Sequence, residues 1–143
     1  MPYSYLEDIA IADVAFEARG KDLEEVFISA ADATTNVMVE DLDAIHREEA
    51  FKIEVENREL DLLLYNFLSE IVFIKDAKRL LLRFDKVEIE ERDSRYFLRA
   101  DAFGATINPK KQPLKADVKA ITLHRFSLIK TEDGWRATVV LDI

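Results

Sequence analysis

LLLRFDKVEIEERDSRYFLRADAFG, residues 80–104, decides how this chain folds. Two runs rich in leucine, valine and aromatic side chains flank Arg92, Asp93 and Ser94. Short polar turns between such runs predict an antiparallel hairpin. The pattern recurs downstream, where VKAITLHRFSLIKT (118–131) and GWRATVVLDI (134–143) flank Glu132, Asp133 and Gly134. Between the two hairpins, INPKKQPLK (107–115) carries two prolines and reads as a loop.

Upstream the period changes. In IADVAFEA (11–18), Ala12, Val14, Phe16 and Ala18 alternate with Asp13, Ala15 and Glu17, as a half-buried strand requires, and Gly20 closes it. Asp22, with Glu25 three residues on, reads as a helix cap. Leu23, Val26, Phe27, Ala30, Ala31, Thr34, Val37 and Met38 follow at helical spacing to about residue 39. EDLDAIHREE (40–49) reads as a solvated acidic turn, and FKIEVEN (51–57) as a strand with Phe51, Ile53 and Val55 on one face. Asn57 is placed to cap a second helix over 58–77, whose broad apolar side holds Leu60, Leu63, Leu64, Phe67, Leu68, Ile71 and Ile74. Leu62, Tyr65 and Phe73 fall on its opposite side, to be covered by neighbouring segments or to meet a partner. The order of strand, helix, strand, helix and four strands predicts an α+β fold. One domain spans residues 1–143, with a mostly antiparallel sheet and two helices packed on it.

Composition narrows the function. Of the 143 residues 49% are hydrophobic, enough for a core, and none is cysteine, which excludes disulfides, thiolate metal sites and a cysteine nucleophile. MPYSYLEDIA has acids where a secretion leader has basic residues. The most apolar stretch, LDLLLYNFLSEIVFI (60–74), is broken by polar residues and too short to cross a bilayer. These features lead us to expect a soluble, cytoplasmic protein. The net charge of −9 and pI near 4.8 leave no basic block beyond Lys78-Arg79 and Lys110-Lys111. Tight direct binding of RNA or DNA is therefore not expected. Divalent cations and a basic protein suit such a surface better.

Most catalytic signatures are missing: there is no glycine-rich phosphate loop, no GxSxG and no HExxH. His46 and His124 each stand alone. Asp13 and Asp142 remain, one in the first strand read here and one in the last. Each has an ordinary reading, as a polar residue on the wet face of its strand. Were a sheet to bring them side by side, however, their carboxylates and the terminal carboxylate at Ile143 would form an all-oxygen site for a hard cation, Ca²⁺, Mg²⁺ or Mn²⁺. The cation would offset the repulsion between them. The acidic run at 40–49 is a rival site, but its spacing is not that of an EF-hand. Lys119 reads as an exposed strand lysine or, beside a carboxylate cluster, as a phosphate contact.

ADVAFEARGKDLEEVF, LLLYNFLSEIVF, VKAITLH and GWRATVVLDI together resemble the archease family, in the same order and over nearly the whole chain. Archeases are accessory proteins of the RtcB-type RNA ligase of tRNA splicing and RNA repair, promoting its guanylylation and multiple turnover. The resemblance implies an α+β fold, a divalent-cation site at Asp13, Asp142 and Ile143, and an activating lysine at Lys119, with His124 near the site. No catalytic residue is implied. Two departures stand out. Family members commonly carry His-Thr before ADV, where this chain has Ala10 and Ile11, and Leu123 stands where a tyrosine often precedes the histidine. The leading expectation is a non-catalytic activator of such a ligase. A chaperone-like module for another RNA-modifying enzyme is the alternative, and a metal-dependent hydrolase with His124 as base is a third reading.

Overall fold

A computed structural model describes residues 2–6 and 13–143. Its elements are β1 (Tyr3–Leu6), β2 (Asp13–Gly20), α1 (Leu23–Met38), β3 (Glu49–Asn57), α2 (Leu60–Lys78), β4 (Leu80–Arg92), β5 (Arg95–Thr106), β6 (Ala120–Thr131) and β7 (Gly134–Asp142). All strand pairs are antiparallel, and they divide into two sheets, ordered β1-β2-β7-β6 and β3-β5-β4. The expected α+β class with two helices holds. Among the described residues, no helix is long and apolar enough to cross a membrane.

Local chemistry fixes the boundaries. Asp22 Oδ1 accepts the Glu25 amide at 2.8 Å and caps α1. The second helix begins at Leu60, later than expected, because Asn57 still pairs with Tyr96 in the sheet. The Asn57 side chain instead accepts the Glu59 amide at 3.0 Å and turns the chain into the helix. Arg79, left-handed at φ 55°, ends α2. The β4–β5 hairpin is tighter than read. Arg92 pairs with Arg95, so the turn is Asp93-Ser94 alone, with φ of 53° and 60°. Two positive φ values make a turn whose twist matches that of its strands.

Strand β1 was not anticipated. It pairs along β2, and the Tyr5 hydroxyl ties it to α1 by donating to Asn36 Oδ1 at 2.8 Å. The Ile11-Ala12 start expected for the next strand lies outside the described residues. Strand β6 begins at Ala120 and breaks register against β7 between Thr122 and Ser127, where Arg125 is left-handed at φ 54°. Residues 123–126 depart from the ladder there, with 123–125 exposed and Phe126 half-buried.

Both helices join the sheets. α1 packs on β2 and β7 of one sheet and on β4 of the other; α2 packs on β3, β4 and β5 of one and on β6 of the other. One continuous core results, with Phe16, Phe27, Leu63, Phe67, Leu98 and Leu141 closed to solvent. The α2 exceptions part company. Tyr65 packs edge-on against Phe126 of β6, whereas Phe73 stays 61% exposed.

Candidate metal and partner site

The register of the first sheet brings distant residues together. Asp13 lies directly opposite Asp142 across the β2–β7 ladder, and Ala120 lies opposite Asp142 on its other side. The Lys119 amide donates to the Asp142 carbonyl at 2.8 Å. Three segments far apart in sequence thus meet at one end of one sheet. Asp13 and Asp142 are each half-buried, while Lys119 is exposed. Ile143, the residue after Asp142, packs its side chain against the core.

Like charges directly opposite on a ladder destabilise it. Two facing carboxylates with main-chain oxygen beside them are hard donors, the set that suits Ca²⁺ or Mg²⁺ rather than a thiophilic metal. Among the described residues no cluster of three or more His, Cys, Asp or Glu side chains stands ready for a metal. The pair therefore needs main-chain oxygens, water or a partner to complete a coordination shell.

The other candidates sit elsewhere. His124 lies in the β6 break, exposed, four residues beyond Ala120, and no described contact joins it to the aspartates. His46 is exposed in the loop before β3. The acidic run at 40–49 is engaged in structure. Asp41 Oδ1 accepts the Asp43 amide at 3.0 Å, Glu48 Oε1 accepts the Thr106 amide at 3.1 Å, and Arg47 in the same run donates to Asp85 at 2.9 Å.

One group escaped sequence reading. Lys75, in the last turn of α2, is only 6% exposed. Its ammonium lies 2.5 Å from Asp117 Oδ1 and 2.6 Å from Asp76 Oδ1, and donates to the Val118 carbonyl at 2.8 Å. The signal was present, since Lys75 falls in line with the buried Leu68 and Ile71 on the apolar arc of the helix. Burial by itself pulls the Lys75 pKa down. The hydrogen bonds and charges of Asp117 and Asp76 outweigh it and hold the ammonium above the ordinary value of 10.5. A group so raised stabilises the fold below its unfolded pKa, and that contribution is lost as pH climbs through the folded value. In alkaline denaturation the wild type should therefore lose stability above about pH 10.5 more steeply than Lys75→Met. Arg79 and Lys115 line the same hollow and are common to both proteins. Parallel curves would remove the ion cluster from the stability of the fold.

Comparison with known proteins decides the family. A model of the Archease protein family matches residues 3–143. The chain belongs to the archease family. An archease from Pyrococcus abyssi is 39% identical over 133 residues, covering 92% of this chain and 93% of that protein. The solution structure of Methanobacterium thermoautotrophicum protein 1598 superposes with a TM-score of 0.86 at 33% identity, over 99% of each chain. The crystal structure of a Thermotoga maritima archease, described as a possible chaperone, shares the fold with a TM-score of 0.57 at 15% identity, over 96% of this chain and 97% of that one.

Proposed function

We propose that this archease is a non-catalytic activator of an RtcB-type RNA ligase, promoting the ligase's guanylylation and repeated turnover. The observation that carries the reading is the in-register meeting of Asp13 and Asp142 beside Lys119. In this reading Asp13, Asp142 and the main-chain oxygen of Ile143 hold a divalent cation, which supplies positive charge at an otherwise acidic tip. Lys119 contacts a phosphate or a carboxylate of the ligase. A ligase that binds nucleotide and RNA needs a basic mouth, and a chain of net charge −9 is steered toward it. His124, exposed in the β6 break, has a supporting place in this reading and is not one of the cation's direct ligands.

The test is multiple-turnover RNA ligation with the host's ligase limiting. Wild-type protein is expected to raise the yield well beyond one product per ligase, and Asp142→Ala to lose that effect while staying folded. Full activation by the folded variant would rule out the tip as the activating element.

A second reading follows from exposed apolar residues. Phe73 and Leu123 are 61% and 59% exposed, and they favour a chaperone-like partner surface for another RNA-modifying enzyme. Affinity capture from the native host separates the two: recovery of the ligase supports the first reading, and recovery of a different enzyme in its place supports the second.

A further inference from the structure

The peptide unit joining Val118 to Lys119 is held at both ends. Its carbonyl oxygen accepts from the Lys75 ammonium at 2.8 Å. Its amide donates to the Asp142 carbonyl, also at 2.8 Å. A peptide unit is planar, so fixing both ends fixes the plane between helix α2 and the end of the first sheet. That plane fixes the position of the Lys119 Cα, the point from which its side chain leaves the backbone.

Besides the burial of the Val118 side chain, few contacts among the described residues hold this segment so close to the tip. Upstream, the connection from β5 is pinned to α1 by the amides of Lys115 and Ala116, which donate to the Met38 and Val37 carbonyls at 2.9 and 3.1 Å. Val118 is fully buried, whereas Asp117 and Lys119 on either side of it are exposed. Lys75 bonds Asp117 and Val118 together, so it grips the two residues that lead directly into Lys119. An ammonium on a carbonyl also polarises the peptide and strengthens the hydrogen bond that its amide donates. The salt bridge to Asp117 keeps the buried ammonium charged for that purpose.

We propose that Lys75 is a positioning residue for the tip: through the Val118–Lys119 peptide it sets the place of Lys119 and of the Asp142 main chain. The functional part of this inference rests on the tip being the activating element; the positioning part does not. Asp117 is the second half of the device: it shares the ammonium with Asp76, and of the two it is the one in the segment that leads into Lys119.

The test begins with the protein alone. Amide hydrogen exchange is measured by NMR for Lys119 and, as a reference, for Leu98 and Ala100 in the central strand β5. Lys75→Met and Asp117→Ala are expected to speed exchange at Lys119 by tenfold or more and to leave the β5 amides near wild type. Asp117→Glu, which keeps a carboxylate, is expected to restore slow exchange. Unchanged exchange at Lys119 in Lys75→Met would overturn the proposal. Equal acceleration at Lys119 and in β5 would overturn it too, because Lys75 would then be a general stabiliser. If Lys75→Met does not fold, the double variant Asp76→Ala, Asp117→Ala decides by the same criteria, since it removes both exposed carboxylates that hold the ammonium. Calcium titration of the same proteins separates the two levels. About tenfold weaker binding in Lys75→Met extends the positioning role to the cation. A wild type that binds no calcium defeats the metal reading, and the exchange result still decides the positioning.

Discussion

Phe67→Ala is expected to lower the stability of the fold by about 3–5 kcal/mol, the usual range for truncating a buried aromatic ring. Phe67 has no exposed surface. Its ring centre lies 6.0 Å from that of Phe27 and 4.9 Å from that of Phe84, so one side chain on α2 ties together α1 and β4. Such ring pairs add roughly 0.5–1.5 kcal/mol beyond simple burial. The neighbours belong to different elements and cannot all move inward, so a cavity remains. In thermal melts this corresponds to a fall of roughly 10–15 °C for a domain of this size. Urea unfolding with an unchanged slope gives the free energy directly. A loss below about 1 kcal/mol would mean that the core closes around the gap and that the rings do not join the layers.

Asp142→Asn is expected to act in opposite directions with and without metal. In chelator, Asp13 and Asp142 face each other as like charges, and removing one should stabilise the fold by roughly 0.2–1 kcal/mol. In cation at a hundred times its dissociation constant, the wild type should gain about 2.7 kcal/mol, seen as a rise of roughly 5–10 °C. The variant should gain little of this, so the order of the two melting temperatures inverts. Melts in EDTA, calcium and magnesium check it. A variant less stable than wild type in every condition, with no cation shift in the wild type, would show that the pair is not a cation site.

Most elements of this fold could be read from local signals. The alternation in β2, the Asp22 cap and the polar hairpin turns each act within a few residues. What stayed hidden depends on partners distant in sequence. The four residues of β1 carry too short a pattern to stand apart from a loop; their strand character comes from β2, and Tyr5 is anchored by Asn36 of α1. The break in β6 left a faint trace, a change of apolar phase from Ile121 and Leu123 to Phe126 and Leu128, but no turn residue marks it and the register shift itself is defined only against β7. Asn57 shows two local signals in conflict, and sheet pairing with Tyr96 prevails over the helix cap. The aspartates were visible as acids in apolar strands, but their meeting follows from the strand order, which no local pattern states. Lys75 was readable as a charge on a buried arc, while its partners, Asp117 and Val118, sit just ahead of β6, where the sequence pattern starts the strand two residues early, at Val118, and does not show the turn back to α2.

The break in β6 also bears on how the molecule behaves at high concentration. The edge strands of the first sheet are β1 and β6. A long, straight, unpaired edge is a template on which a second chain can add a strand and begin an aggregate. β1 offers only four residues, and β6 is interrupted at 123–126, where the chain leaves the ladder and presents His124 and Arg125 to solvent. The second sheet has a related irregularity on its edge strand β4, at the register shift between Phe84 and Lys86. A strand arriving from another molecule would find no long regular run on β1, β4 or β6. The short β1 and the breaks in β4 and β6 therefore limit strand addition at those three edges, while β3, paired with β5 without a break from Glu49 to Asn57, remains a regular edge.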